Sequence, residues 1–261
     1  MIEQKYGEQL AERLDAANER LDSRSPQEIL AWAFQEYAPD ITLACSFGGI
    51  TGMVLLDMAA KIYPQVRVFY LDTDFLFPET YELVREVSRR YGIQPVAFKS
   101  RLTPDAQASQ YGAALWQRDT DLCCQLRKVE PNLRALAGQK AWISGLRRDQ
   151  ANTRTQVRVV EWDTKFNLAK VNPLAYWNEE QVWQYIRDNS VPYNKLHDKG
   201  YPSIGCTYCT RAVKPGEDSR AGRWAGSDKT ECGLHTPGQA TLGFDIKPGE
   251  GVKGDNDTNA G

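Results

Sequence analysis

The sequence lacks a long hydrophobic run and a marked excess of charge. No segment approaches the roughly 18 consecutive apolar residues of a membrane-spanning helix. The first residues, MIEQKYGEQLAERL, have neither the apolar stretch nor the small-residue cleavage site of a signal peptide. The 32 Lys and Arg against 34 Asp and Glu leave a net charge of −2. We therefore expect a cytoplasmic protein that neither spans a membrane nor binds nucleic acid through its overall charge, although a local basic pocket for a small anion is compatible with this composition.

The composition is that of an ordinary globular chain. Apolar residues make up 41% and charged residues 25% of the 261 positions. Residues 236–261 have few large apolar side chains and many Gly, Asp, Asn and Lys, which predicts a disordered tail. We expect residues 1–235 to form a single domain.

Short apolar runs alternate with helical patterns along most of the chain. The predicted strands are Ile41–Cys45, Val66–Leu71, Pro95–Phe98 and Trp142–Gly145, and the predicted helices are Tyr6–Leu21, Pro26–Tyr37, Thr51–Ala60, Pro78–Tyr91 and Asn178–Asn189. This alternation predicts an α/β fold, a parallel sheet covered on both faces. Ligands of such sheets bind beyond the carboxyl ends of the strands. Three polar or Gly-rich loops, Ser46–Gly49, Asp72–Asp74 and Leu146–Asp149, fall there and indicate a small-molecule site.

The run Ser46-Phe47-Gly48-Gly49-Ile50-Thr51-Gly52 connects a predicted strand to a predicted helix. Backbone N–H groups and the helix dipole hold anions at such turns. The run lacks the Gly-Lys-Ser/Thr ending of a Walker phosphate loop, which argues against an ordinary ATPase. A plain strand-to-helix turn is the alternative.

The spacing of the cysteines says more about the function than their number does. In a reducing compartment metal binding or redox chemistry is favoured over disulfides. Cys123-Cys124 and Cys206-x-x-Cys209 supply four thiols for a structural zinc or an iron–sulfur cluster. A thioredoxin-like pair or inert buried thiols remain alternatives, although no strand-then-helix pattern surrounds the Cys-x-x-Cys. Cys45 is best explained as a small buried residue at a strand end.

A further cysteine, Cys232, lies in Glu231-Cys232-Gly233-Leu234-His235. A nucleophilic cysteine reacts as the thiolate, and His235 is near enough in sequence to act as a charge partner. An exposed thiol without a role is the alternative. Basic residues also cluster along the chain, and together they suit a substrate with two or three negative charges. The alternative is that they are solvated surface residues, as most charged residues are. They are Arg127, Lys128, Arg147, Arg148, Arg154, Arg220 and Arg223.

Taken together, several motifs resemble the adenylyl-sulfate reductases of assimilatory sulfate reduction, in their iron–sulfur-containing branch. The matching segments are SFGG, LDTDFLFPETY, RDTDLCCQLRKVEP, ISGLRRDQANTR, KVNPLAYW, GYPSIGCTYCTRAVKPGEDSRAGRW and ECGLH, from Ser46 to His235. The resemblance implies an adenine-nucleotide α-hydrolase-like, doubly wound α/β fold with a cysteine-bearing C-terminal segment, in which SFGG is a modified phosphate loop.

The resemblance also implies roles for individual residues. Cys123, Cys124, Cys206 and Cys209 would ligate a [4Fe–4S] cluster, with Lys128 between cluster and substrate. The residues implied in substrate binding are Ser46, Gly48, Gly49, Asp72, Thr73, Arg147 and Arg148. Those implied in catalysis, besides Lys128, are Cys232, His235, Arg220 and Arg223.

The implied reaction has two stages. The Cys232 thiolate attacks the sulfate sulfur of adenylyl sulfate, AMP leaves, and an S-sulfo-cysteine forms. A dithiol protein, thioredoxin or glutaredoxin, then releases sulfite. Residues 210–235 would be a mobile segment that presents Cys232 first to the substrate and then to the partner. Relatives are often homo-oligomers.

One departure leaves alternatives. Many relatives have an acidic residue after the loop glycines, whereas this chain has Ile50-Thr51-Gly52. The cluster cysteines favour adenylyl sulfate over its 3′-phosphorylated form, which stays an alternative substrate. Less favoured are an ATP-using adenylating or thiolating enzyme of the same fold and a non-catalytic module held by a Cys₄ zinc.

Overall fold

The structure is a computed structural model that describes residues 2–225, 229, 231 and 233–235, with side chains from Glu12 onward. Two predictions lie outside these residues: the disorder of the tail 236–261 and the placement of Cys232. In the part of the chain that is described, no helix is both long and apolar enough to cross a bilayer.

A single sheet organises the described residues. Its strands are β1 Ile41–Ala44, β2 Val68–Asp72, β3 Val96–Lys99, β4 Ala141–Ile143, β5 Val160–Asp163 and β6 Leu168–Val171. The strand order is β3-β2-β1-β4-β6-β5, and each neighbouring pair is parallel except β5 with β6. The predicted α/β, doubly wound sheet is confirmed, with one difference: an antiparallel edge formed by a β5–β6 hairpin that the sequence patterns did not predict.

The helices precede the first strand, connect later strands and follow the last one. They are α1 Ile2–Leu21, α2 Pro26–Tyr37, α3 Ile50–Ile62, α4 Pro78–Tyr91, α5 Pro104–Tyr111, α6 Leu115–Arg118, α7 Thr120–Cys124, α8 Glu130–Leu136 and α9 Glu179–Asn189. Local signals set several starts: Ser25 and Glu28 form a capping box before α2, and Pro78 opens α4. Helix α3, whose sequence is apolar nearly throughout, is buried along most of its length and contacts α2 and α9.

The strand order places a crevice at the centre of the sheet. From β1 the chain builds outward through β2 and β3, then returns to place β4 on the other side of β1. Connections leaving β1 and β4 therefore diverge, which opens a crevice beyond their carboxyl ends.

After α9 the chain runs back across this edge in irregular structure with two short 3₁₀ turns, Lys195–Lys199 and Thr207–Cys209. An antiparallel bridge joins Leu76, after β2, to Cys206. The N–H of Thr207 also donates to the carbonyl of Phe75 at 2.8 Å. This return path brings the second half of the cysteine set next to the first.

Candidate functional site

The crevice holds a cavity of about 310 Å³. Nine of the residues predicted as functional line it: Ser46, Gly48, Gly49, Thr73, Lys128, Arg147, Arg220, Arg223 and His235. They come from the ends of β1, β2 and β4, from the segment after α7, and from the C-terminal return path. Because parallel strands end at one edge, residues far apart in the chain meet in a single cavity.

The loop between β1 and α3 has an unusual backbone. Phe47 adopts a left-handed conformation, with φ of 52°, although its side chain is fully buried and packs edge-on against Tyr70. Ser46 Oγ accepts from the N–H groups of Gly48 and Gly49 at 3.4 and 3.3 Å. These glycine N–H groups lie at the start of α3, where the helix dipole favours negative charge.

The two arginines after β4 diverge. Arg147 is buried and lines the cavity, where Nη1 donates to Thr51 Oγ1 at 2.5 Å and Nε pairs with Asp149 at 2.9 Å. Arg148 lies outside the residues that line the cavity: its Nε donates to the carbonyl of Val157 at 2.7 Å, and its guanidinium lies 4.4 Å from the centre of the Tyr176 ring.

Asp72 also lies beside the cavity rather than in its lining. Its carboxylate accepts from the hydroxyl of Tyr81 at 2.7 Å and pairs with Lys99 at 3.3 Å. Burial, and then the hydrogen bond to Asp72, raise the pKa of Tyr81. The carboxylate therefore fixes the loop after β2, and the next residue, Thr73, faces the cavity.

The residues on either side of Cys232 are bound by side chains from the segments that flank β5. Glu231 forms a bidentate pair with Arg154, at 2.8 and 3.0 Å, and lies 3.4 Å from Arg220. Lys165 donates to the carbonyl of Gly233 at 2.6 Å. These contacts hold the described part of the ECGLH segment over the cavity, although Cys232 itself lies outside the described residues.

His235 packs on the buried indole of Trp142, with ring centres 5.7 Å apart and planes 8° from parallel. The side chain is half-buried, but its Nδ1 is shielded from solvent and has no hydrogen-bond partner among the described residues. Burial, followed by the cations of Lys170 and Arg154, holds the pKa of His235 well below its usual range. The imidazole is therefore neutral near pH 7, and it lines the cavity as a hydrogen-bonding group rather than a cation.

The four predicted ligand cysteines line a second, much smaller cavity. Cys123, Cys124, Cys206 and Cys209 meet there, together with Lys128 and Arg127. Cys123, Cys206 and Cys209 form no disulfide. Burial, and then the neighbouring cysteines, raise the pKa of Cys123 to about 12 and of Cys209 to about 11 in the protein without a bound group. Within the described ranges, no three Cys, His, Asp or Glu side chains surround a single metal position.

Lys128 lines both cavities. It lies in a short π-helix, Gln125–Val129, which follows the cysteine pair directly. Its neighbour Arg127 lines the cysteine cavity but not the larger one: it is buried and binds Gln107, the Thr73 carbonyl and Asp74 at 2.7, 3.0 and 3.1 Å. Single π-helical turns recur at functional sites because they change which side chains share a helix face.

Several residues of the site had no role in the sequence interpretation. Glu231 was noticed only as part of ECGLH, and Trp142 only as the start of a strand. Asn194 and His197 lie in the Gly-, Pro- and Tyr-rich region after α9, and they donate to the Phe47 and Gly48 carbonyls of the SFGG loop. Position in an irregular segment was their sole signal.

A doubly wound sheet with a Gly-rich loop and arginines at its switch point defines a nucleotide- or anion-binding α/β protein. The model of the phosphoadenosine phosphosulfate reductase domain matches residues 40–212. The chain belongs to this family, and the resemblance found in its motifs is confirmed.

Curated relatives match nearly the whole described chain. An adenosine 5′-phosphosulfate reductase of Halalkalibacterium halodurans is 49% identical over 223 residues, which cover 85% of this chain and 96% of that protein. Adenosine 5′-phosphosulfate reductase 2 of Bacillus subtilis is 50% identical over 209 residues, 80% of this chain and 88% of that protein.

Solved structures agree on the fold. A phosphoadenylyl-sulfate reductase from Candida auris, in a phosphate complex, is 37% identical with a TM-score of 0.68, covering 77% of this chain and 97% of that one. The FMN adenylyltransferase of Candida glabrata, at 18% identity and a TM-score of 0.52, covers 70% of this chain and 60% of that one, and shares the fold alone.

Proposed function

We propose that this chain reduces adenylyl sulfate to sulfite and AMP in assimilatory sulfate reduction. One observation carries the proposal: the described residues of the ECGLH segment are anchored over a cavity lined by the phosphate loop and by arginines. Adenylyl sulfate bears negative charge on both its phosphate and its sulfate. Arg147, Arg220 and Arg223 match such oxygens, and the α3 start adds backbone donors. The curated relatives with this activity in their names support the choice of substrate.

Cys232 is the proposed nucleophile. Its thiolate attacks the sulfate sulfur, the bond from that sulfur to the phosphate oxygen breaks, and AMP leaves with the electron pair. The sulfo group is then bound to Cys232 as an S-sulfo-cysteine. The binding of Glu231 to Arg154 and of Gly233 to Lys165, at the edge of the proposed substrate cavity, supports this role.

The second stage needs two electrons from a dithiol protein, thioredoxin or glutaredoxin. One thiolate of that protein attacks the Cys232 sulfur, sulfite leaves, and a mixed disulfide forms. The second thiol of the partner then displaces Cys232, which returns as a thiolate while the partner becomes a disulfide. This dependence on reduced thiols supports a cytoplasmic location.

The four clustered cysteines are proposed to hold a [4Fe–4S] cluster. Their chemistry fits the group, because an all-thiolate set selects either zinc or iron–sulfur. A single zinc draws its four sulfurs to within about 4 Å of one another, whereas a [4Fe–4S] cluster takes one thiolate on each iron. The four cysteines line one cavity, and the resemblance of the segments around them to the iron–sulfur-containing branch supports the second choice. When bound, the cluster supplies a fixed local charge beside Lys128, which lines both cavities and lies near the substrate arginines.

The 3′-phosphorylated substrate is the second candidate, since the Candida auris relative is named for its reduction. Sulfite release with reduced thioredoxin, measured separately for the two compounds, tests the proposal. We expect turnover of adenylyl sulfate, its loss in Cys232→Ser, and its retention in Cys45→Ala. Cys45 is the matched control because it is the other cysteine outside the proposed cluster set and is buried, which raises the pKa of its thiol to about 12. Absence of sulfite from both compounds, with protein that contains iron, would contradict the proposed reaction.

A further inference from the structure

Two side chains of one segment hold two successive carbonyls of the SFGG loop. Asn194 Nδ2 donates to the carbonyl of Phe47 at 3.0 Å. His197 Nε2 lies 3.0 Å from the carbonyl of Gly48. A carbonyl oxygen can only accept, so Nε2 carries the proton of this bond. The segment lies nearly 150 residues further along the chain, so these are tertiary contacts made specifically to the loop.

Peptide planarity transfers this restraint to the opposite side of the loop. The carbonyl of Phe47 shares a trans peptide with the N–H of Gly48, and the carbonyl of Gly48 shares one with the N–H of Gly49. Fixing each oxygen therefore fixes an N–H that points the other way. Both N–H groups lie on the side of Ser46 Oγ, and Ser46, Gly48 and Gly49 all line the cavity of the crevice.

The two holding side chains are themselves fixed in place. Asn194 is buried, donates also to Thr80 Oγ1 at 3.1 Å, and accepts from the N–H of Leu196 at 3.1 Å. The His197 ring meets the edge of Trp183 at 5.6 Å between centres. Burial lowers the pKa of His197, more than its bond to Gly48 raises it, so the ring is a neutral donor near pH 7. Rigid donors of this kind can hold Phe47 in its left-handed conformation, which is unfavourable for a residue other than glycine.

We propose that Asn194 and His197 are positioning residues, which orient the N–H groups of Gly48 and Gly49 toward an oxygen of the bound adenylyl sulfate. The inference rests on the proposed function, because it needs the nucleotide to occupy the cavity of the crevice. Neither residue lines that cavity, so they act through the loop and not by touching the substrate.

The test compares His197→Ala with His197→Gln. Affinity for adenylyl sulfate is measured by calorimetry in the Cys232→Ser background, where no turnover occurs, and KM and kcat are measured with Cys232 intact. We expect His197→Ala to raise Kd and KM about tenfold, the equivalent of roughly 1.4 kcal/mol, with a smaller change in kcat. The glutamine amide can donate to the same carbonyl, so His197→Gln should stay within about threefold of the parent.

Tyr185→Phe is the matched control. It removes a 2.8 Å hydrogen bond from α9 to Asp57 on α3 and leaves the loop contacts intact. The control should lower the melting temperature but leave Kd unchanged. The inference is overturned if His197→Ala binds as tightly as the parent, if glutamine fails to rescue, or if the control weakens binding equally. A parent protein that binds no adenylyl sulfate would overturn the proposed function first, and the calorimetry of the parent alone reveals that.

Discussion

Gly48→Ala should disturb the SFGG loop far more than the same change at the next position. A Cβ added to Gly48 would lie 2.9 Å from the carbonyl oxygen of Ile204 and 3.2 Å from the Ile204 Cβ. Both neighbouring atoms are at or next to the backbone, so neither can move aside by a simple rotation. A Cβ added to Gly49 would have Ser46 Oγ as its nearest neighbour, at 3.8 Å, an ordinary van der Waals distance.

The magnitude follows from this difference in contact. Overpacking of a site that cannot relax destabilises a protein by about 1–3 kcal/mol. For a chain of this size that corresponds to a fall in melting temperature of roughly 2–4 °C per kcal/mol. Gly49 is the N-cap of α3, where alanine is a poorer residue than glycine, but its added Cβ meets no close contact, so Gly49→Ala should cost no more than about 1 kcal/mol. If the loop relieves its contact with Ile204 by moving even a fraction of 1 Å, we expect kcat/KM of Gly48→Ala to fall roughly 10- to 100-fold.

Thermal unfolding of both variants, followed by sulfite release from adenylyl sulfate, checks the reasoning. The unfolding comparison decides it, because it needs no assumption about where the substrate lies. If Gly48→Ala melts within about 1 °C of Gly49→Ala, the close approach of the loop to Ile204 does not exist in solution. If both variants keep full melting temperature and full activity, the loop tolerates a side chain and its glycines are not required for its shape.

Three further results are expected. Asp57→Asn, which weakens a buried acceptor of two tyrosine hydroxyls, should lower the free energy of unfolding in urea by about 1–3 kcal/mol, with kcat of the folded enzyme unchanged. Arg148→Ala should lower the melting temperature but change KM by less than about threefold, whereas Arg147→Ala should raise KM more. Equal effects on KM would refute the conclusion that Arg147, and not Arg148, lines the substrate cavity. Tyr208 is exposed, lines the cysteine cavity and stacks on Trp116 at 3.9 Å. Tyr208→Ala should therefore make the visible absorption of anaerobically purified protein bleach faster in air. Unchanged bleaching of an iron-containing protein would show that this stack does not limit the access of oxygen to the cysteine cavity.

The parts of the fold that could be predicted are those set by local signals. The segments β1 to β4 are short, mainly apolar runs followed within two residues by a polar residue or Gly, and α2 and α4 carry capping or proline signals at their starts. The β5–β6 hairpin was missed because its strands read Val-Glu-Trp-Asp and Leu-Ala-Lys-Val. Lys170 is buried there only because Glu161 pairs with it at 3.0 Å, a relationship that appears after the strands have paired.

Much of the candidate site could be predicted for a topological reason. Loops that follow parallel strands meet at one edge, so Ser46, Thr73 and Arg147 converge although nothing in their local sequences relates them. The same reasoning does not predict which of two neighbouring residues in a loop faces the cavity. Arg147 has an extended backbone, with φ of −133° and ψ of 150°, and successive side chains of extended chain point to opposite sides. Arg147 therefore enters the cavity while Arg148 packs on Tyr176.

The residues that sequence patterns could not indicate are those that act on the backbone or on another side chain of the site. Asn194 and His197 serve the SFGG loop through carbonyls, which every residue possesses, so no residue type at the loop marks the contact. Glu231 is a single carboxylate among the 34 acidic residues of the chain, and its pairing with Arg154 and Arg220 in the fold separates it from a solvated one. Charge and hydrogen-bonding capacity are visible in a sequence, but the partner that gives them a role is chosen by the fold. Such residues are therefore the ones for which a structure adds most to the sequence, and conservative replacements that keep or remove a single donor are the way to test them.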